Sequence, residues 1–386
     1  MVKQLSAAVE QRMPATLDLL RAMVEIESPS DDKAAVDRCV AFVAAECSRL
    51  SGRVRLHRRR DFGDLLEARF GPLRSKHRPV LLLGHLDTVW PLGTLKSMPF
   101  RVDAERVWGP GVLDMKAGVA MALTAIAVLH ERQNQERQKL SRPVILLLNS
   151  DEEVGSNASR PLTEKLAKQC DAVFVLEPAQ GLKGAYKTAR KGVGVYQVQV
   201  KGVASHSGVD FERGHSAIVE LARQIERITQ FTELDRGITV NVGTVQGGTR
   251  SNVVAAEARA EVDIRVARAK DRARIEKHFH SLRVFDSKCS LHVEGGLNRP
   301  PMERTRGTVA LFKRAAAHAR ELGFVLEEAA TGGGSDGNFT SAIGVPTLDG
   351  MGAVGEGAHA LHESLLLKHM APRTALLAAM LADAGE

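Results

Sequence analysis

The chain has 386 residues, of which 44% are hydrophobic and 26% charged. That is enough apolar content to bury a sizeable core over two or three domains, and it excludes global disorder. No run approaches the ~18–20 uninterrupted apolar residues of a membrane span, and the N-terminal residues carry no signal-peptide core, so a cytoplasmic protein without a membrane partner is expected. Lys and Arg outnumber Asp and Glu by 53 to 46. The basic residues are dispersed, and Asp61 follows the one short run, Arg58-Arg59-Arg60. The excess therefore reads as solvated surface rather than a nucleic-acid face.

Leu5, Val9, Met13, Leu17, Leu20, Met23 and Val24 recur at helical spacing and predict a helix over residues 5–26. Ser30 is the expected N-cap of a second helix whose apolar side is Val36, Val40, Phe42 and Val43. Cys39 and Cys47 would stand about 12 Å apart along that helix, too far for a disulfide. Together with Cys170 and Cys289 they read as reduced structural residues.

Beyond it, short apolar runs at 80–83, 144–148 and 172–176 read as buried strands, separated by helical patterns at 116–130 and 160–168. The alternation predicts an α/β fold, a mixed sheet sandwiched by helices.

Near residue 190 the texture changes. Strands with one wet face are predicted at 194–200, 237–245 and 256–266, with a last strand at 290–294 and helices at 214–231 and 270–283. This β-α-β-β-α-β order is the ferredoxin-like α+β pattern. After Pro300-Pro301 the α/β texture returns, with a helix at 309–322, a Gly-rich turn, a strand at 345–348 and a closing helix. The expected organisation is one α/β domain in two segments, 1–189 and 302–386, split by an inserted domain at 190–301.

The polar residues of interest fall at the ends of the buried strands, where open α/β sheets place their ligands. The first strand runs into Gly84-His85-Leu86-Asp87, and Asp114 precedes a helix. The next two strands end in Asp151-Glu152-Glu153 and in Glu177-Pro178. One imidazole and several carboxylates converge, and carboxylates crowded together repel one another. A multivalent cation resolves that, and mixed imidazole and carboxylate ligands suit zinc, with cobalt or manganese as alternatives.

His85-Leu86-Asp87-Thr88-Val89, Gly111-Val112-Leu113-Asp114-Met115-Lys116, Ser150-Asp151-Glu152-Glu153-Val154-Gly155-Ser156 and Glu177-Pro178 resemble the motifs of the co-catalytic zinc exopeptidases. Glutamate carboxypeptidase, acetylornithine deacetylase, succinyl-diaminopimelate desuccinylase and aminoacylase belong to that family. Ala204-Ser205-His206-Ser207-Gly208, Gly333-Gly334-Ser335-Asp336 and Gly357-Ala358-His359 with Glu363 extend the resemblance over nearly the whole chain.

The resemblance implies a zinc-exopeptidase-like catalytic domain with an inserted lid and dimerisation domain, and two zinc ions per chain about 3.5 Å apart. Asp114 would bridge them, His85 and Glu177 would complete one site, and Glu153 and His359 the other. Glu152 would be the general base and Asp87 the partner of His85. His206 would stabilise the oxyanion, while Asn252 and Arg299 would hold the substrate carboxylate.

The implied substrate is a small peptide or N-acyl amino acid with a free carboxylate, cleaved in the manner of glutamate carboxypeptidase. An N-acyl-amino-acid deacylase, or a non-catalytic binding protein on the same fold, stands as the alternative. The glutamate-selective pattern places a lysine where this chain has Ala185, flanked by Lys183 and Lys187. These lysines with Arg190, Lys191 and Arg299 are the cations expected to receive an anionic substrate. Two further features carry no function: Gly350-Met351-Gly352-Ala353-Val354-Gly355 fits a dinucleotide fingerprint but lacks the helix and strand that should follow, and His362 yields to His359, which has the Gly-Ala-His context.

Overall fold

The computed structural model describes residues 2–72, 75–136 and 142–383. It divides into two compact units, Met1–Ala189 with Arg304–Thr331 and Ser335–Glu386, and Arg190–Glu303 with Gly332–Gly334.

In chain order the first segment holds α1 (Val2–Glu25), α2 (Lys33–Arg49), β1 (Arg53–His57), β2 (Leu65–Phe70), β3 (Val80–His85), β4 (Arg101–Val102), β5 (Arg106–Trp108), α3 (Ala117–Glu136), β6 (Val144–Asn149), α4 (Arg160–Ala167), β7 (Ala172–Val175) and β8 (Tyr186–Arg190). The inserted unit is β9 (Gly192–Lys201), α5 (Ala217–Thr229), β10 (Thr239–Gly247), β11 (Glu257–Val266), α6 (Arg272–His280) and β12 (Ser290–Arg299). The chain then returns through α7 (Arg306–Glu321), β13 (Glu328–Thr331), α8 (Gly337–Ala342), β14 (Thr347–Leu348), β15 (Gly355–Glu356), β16 (Ser364–Leu366) and α9 (Leu367–Ala382).

The main sheet has the order β1-β2-β6-β3-β7-β14. It is antiparallel from β1 to β6 and parallel from β6 through β3 and β7 to β14. Every residue of β3, β6 and β7 is buried, because helices cover both faces. Leu82, Leu146 and Phe174 point into the core formed with α1, α3 and α9. Leu81, Leu83, Ile145 and Leu147 point into a second layer closed by Leu162 and Leu166 of α4. The stretch 112–132 is long and apolar enough to cross a membrane, yet almost all of it lies inside this fold.

Three local features differ from expectation. Asp32, not Ser30, caps α2, accepting from Ala35 N–H at 2.9 Å; Ser30 instead donates to Asp87 Oδ2 at 2.7 Å. The hairpin of β1 and β2 was not anticipated, since the Arg-rich sequence of β1 alternates on a half-exposed edge and carries little apolar signal. The small sheet β15-β16-β5-β4 was also missed, being assembled from strands of two or three residues from opposite ends of the chain.

The inserted unit is an antiparallel sheet of order β10-β11-β9-β12 with two helices. Burial alternates along β9 and β11, the mark of one packed and one solvated face. Tyr196 stacks on Phe279 of α6 with ring centroids 3.8 Å apart. Ser216 caps α5 by accepting from Val219 N–H at 3.3 Å.

Candidate active site

Because β6, β3 and β7 run parallel, their C-terminal ends lie together. His85 is level with Asn149. Past the strands the main chain stays tied, with Leu86 N–H donating to the Asn149 carbonyl and Leu176 N–H to the Leu83 carbonyl, each at 2.9 Å. These three ends bring His85 and Asp87, Glu152 and Glu153, and Glu177. Asp114 comes from the turn 112–116 before α3, where its own φ of −113° and ψ of 94° break the helical path and its peptide to Met115 is cis. His359 comes from the loop between β15 and β16 and sits at φ 63°, a left-handed conformation costing a non-glycine residue about 1–2 kcal/mol and common where function demands it.

The two oxygens of Asp114 face two imidazoles. Oδ1 lies 3.3 Å from His85 Nε2 and Oδ2 lies 3.5 Å from His359 Nε2. Glu177 Oε1 stands 3.7 Å from the same nitrogen of His85, and Glu153 Oε2 stands 3.1 Å from His359 Nε2. Glu152 joins His85 and Glu177 in a group whose candidate ligand atoms all lie within 4.8 Å of one another; His85, Asp114 and Glu153 form another.

Beneath them, Asp87 is fully buried. Its Oδ1 accepts from Glu152 N–H and its Oδ2 from Glu153 N–H, both at 3.2 Å. Its main-chain carbonyl meets His85 Nδ1 at 2.9 Å, with the carboxylate Oδ1 at 3.5 Å. Asp87 therefore ties the adjacent glutamates to the histidine, and sets which ring nitrogen of His85 points outward.

The electrostatics follow from this crowding. The Asp114 and Glu153 carboxylates raise the His359 imidazole to about 10. Burial acts to lower His85, but Asp114 and Asp87 outweigh it and hold the ring well above its ordinary value. Burial pushes the Glu153 carboxyl up. His85 Nε2 is buried and makes no hydrogen bond, although carboxylate oxygens surround it. A buried nitrogen without a hydrogen-bond partner, ringed by hard oxygen donors, fits a divalent cation with nitrogen and oxygen ligands.

His206, Asn252 and Arg299 all belong to the inserted unit. His206 and Asn252 are exposed and lie on segments joined by Ser207 N–H donating to the Asn252 carbonyl at 3.1 Å. Arg299 is buried at the end of β12. Among the cations singled out from sequence, Lys183 is exposed and 3.4 Å from Glu327. Arg190 Nη1 donates to the carbonyls of Gly333 and Gly334 at 3.2 and 2.9 Å.

One supporting residue escaped the sequence reading. Arg373, buried in α9, donates to the carbonyls of Gly352, Gly184 and Gly350 at 2.8, 2.8 and 2.6 Å. Gly352 N–H in turn donates to the Glu177 carbonyl at 2.9 Å. A Cβ at Gly352 would stand 2.2 Å from the Leu176 carbonyl oxygen, so the glycine run that imitates a nucleotide loop serves close approach to Glu177. An arginine inside an Ala/Leu-rich helix was the available signal.

Residues 81–383 match the profile of Peptidase family M20/M25/M40. Carboxypeptidase G2 of Pseudomonas sp. (strain RS-16) is 28% identical over 381 residues, covering 97% of this chain and 90% of that protein. The structure of a tripeptidase from Staphylococcus aureus superposes with a TM-score of 0.81 at 21% identity, over 97% of this chain and 98% of that one. That of an M20 family metallo-carboxypeptidase from Sulfolobus solfataricus gives 0.75 at 17% identity, over 95% and 98%.

Proposed function

Since the chain belongs to Peptidase family M20/M25/M40 and is a metal-dependent hydrolase of that family, we propose that it releases a C-terminal amino acid with a free carboxylate from a small peptide or N-acyl amino acid, in the manner of a glutamate carboxypeptidase. The observation that carries this reading is the Asp114 carboxylate set between two imidazoles, His85 at 3.3 Å and His359 at 3.5 Å.

We assign one zinc position to His85, Asp114 and Glu177, and a second to Asp114, Glu153 and His359. When bound, the ions supply Lewis acidity, lowering the pKa of water and polarising the scissile carbonyl. Glu152 takes the proton of the attacking water and returns it to the leaving amine. Asp87 holds Glu152 and Glu153 through their amides, which fixes the main chain that carries both carboxylates. The roles of His206 in stabilising the oxyanion, and of Asn252 and Arg299 in holding the substrate carboxylate, rest on the family resemblance.

The test is zinc content together with hydrolysis of N-acyl-glutamate and a dipeptide panel. Glu152→Gln is expected to lower kcat about 10²–10⁴-fold with zinc retained, and excess chelator to abolish turnover. Full activity in either condition overturns the reading.

We further propose a homodimer formed through the inserted unit. β10 is an edge strand, and Ile218 and Val219 of α5 are exposed and line a groove of about 490 Å³. A monomeric mass in solution overturns this. The four cysteines are buried free thiols, in keeping with the proposed cytoplasmic setting.

A further inference from the structure

Glu363 is wholly buried, and its carboxylate is saturated by donors. Oε1 accepts from Leu113 N–H at 2.8 Å and Asp114 N–H at 3.0 Å. Oε2 accepts from Gly111 N–H at 3.0 Å and the Trp90 indole N–H at 2.8 Å. Three of the four donors belong to the turn that leads into α3, where backbone N–H groups lack intrahelical partners. The nearby cation, Lys116, is committed elsewhere, its Nζ donating to the carbonyls of Met23 and Ile26 at 2.9 and 2.8 Å.

Glu363 also shares a loop with His359. That loop is closed by Ala360 N–H donating to the Gly357 carbonyl and Glu363 N–H donating to the Ala360 carbonyl, each at 2.8 Å. One short, tied segment therefore reaches Asp114 twice. Glu363 grips its main-chain amide, and His359 faces its Oδ2. The Trp90 bond adds the segment that follows His85. The carboxylate of Glu363 thus ties the main chain of Asp114 to the loop that carries His359, whereas His85 ends β3 and Glu177 follows β7, where Leu176 N–H and Gly352 N–H tie the chain on either side of it.

We propose that Glu363 is the positioning residue of the second metal position, so that its loss weakens the ion that Asp114, Glu153 and His359 would hold more than the ion that His85, Asp114 and Glu177 would hold. The assignment rests on the two-position reading given above. An amide cannot replace the carboxylate here: glutamine offers one acceptor oxygen, and turns its NH₂ group toward N–H donors.

The experiment titrates metal-free wild type and Glu363→Gln with zinc chloride, following bound zinc by calorimetry and by elemental analysis after gel filtration. Trp90 and Trp108 are the two tryptophans of the chain, so the same titration in a Trp108→Phe background reports Trp90 emission. Wild type is expected to bind two equivalents, with the second shifting Trp90 emission. Glu363→Gln is expected to weaken the second equivalent about 10–100-fold, clearly more than the first, and to lose the emission shift. Glu363→Asp keeps the charge but shortens its reach, and it supplies the same readout if the glutamine variant does not fold.

Two equal equivalents in a folded variant overturn the positioning role and leave the proposed function standing. Fewer than two in wild type overturns the two-position reading and this assignment with it. Equal weakening of both positions also overturns the assignment, because it describes a structural residue.

Discussion

The six-stranded sheet and the sheet of the inserted unit handle polar residues in opposite ways. In the six-stranded sheet, β3 and β6 are buried along their whole length. A charge in mid-strand would have no water and no partner there, so polar groups collect where the strands end. In the four-stranded sheet of the inserted unit, β9 and β11 bury alternate residues and send Gln197, Gln199, Glu257 and Arg259 to the other face. Strands covered on both faces concentrate their polar residues at their C-terminal ends, whereas a sheet covered on one face spreads its polar residues over the surface. Imidazoles and carboxylates 3–4 Å apart are the outcome of the first arrangement.

The most severe test of that contrast is a charge placed within each sheet. Leu82→Asp in β3 should abolish folding, since an unpaired buried charge is destabilising by about 3–5 kcal/mol or more, and soluble yield with denaturant melts would show it. Val195→Asp, on the half-exposed face of β9, should change stability by about 0.5 kcal/mol or less. Comparable losses at both positions would break the comparison.

The next test asks whether the two cores are separate. Phe279→Ala removes the ring stacked on Tyr196 and should destabilise the inserted unit by about 3–5 kcal/mol. Zinc affinity of the first unit should stay unchanged, as followed by a two-phase melt and zinc titration.

A smaller effect is expected from Asp87→Ala, which leaves the strands intact but releases the amides of Glu152 and Glu153. Zinc affinity should fall about 10–100-fold while the melting temperature of the metal-free protein changes far less.

The smallest effect probes the edge of the main sheet, where Asp64 is buried beside β2. Burial would raise its carboxyl, but the Arg59 amide and the Lys33 and Arg58 cations hold it below its ordinary 3.8. A lowered folded-state pKa contributes stability above the ordinary value and loses it as pH falls through the folded value. The stability gap between wild type and Asp64→Asn should therefore be full near neutrality and close below pH 3.8 in an acid titration.

Much of the site was legible because its residues are sequence neighbours of unmistakable strands. The runs ending at His85, at Asn149 before Glu152, and at Val175 before Glu177 are buried on both faces, and a continuous apolar run of that length marks such a strand. Other features left a weaker trace. Ser30 reads as a helix start, and only the backbone path shows that Asp32 caps α2 while Ser30 turns to Asp87. The strands of the small sheet are too short for periodicity. Arg373 reads in sequence as a charge in an apolar helix, with nothing to say that it holds three carbonyls near Glu177.

The sequence by itself determined the fold class, the strand ends where polar residues gather, and the residue types capable of holding a cation, because these depend on periodicity and local chemistry. Only the tertiary structure decided which partners those residues meet. Asp114 stands between His85 and His359, Asp87 holds both glutamate amides, and Glu363 binds a turn about 250 residues earlier in the chain. Contacts over such separations are selected by how the layers pack and which buried N–H groups are left needing an acceptor, and no local pattern encodes that.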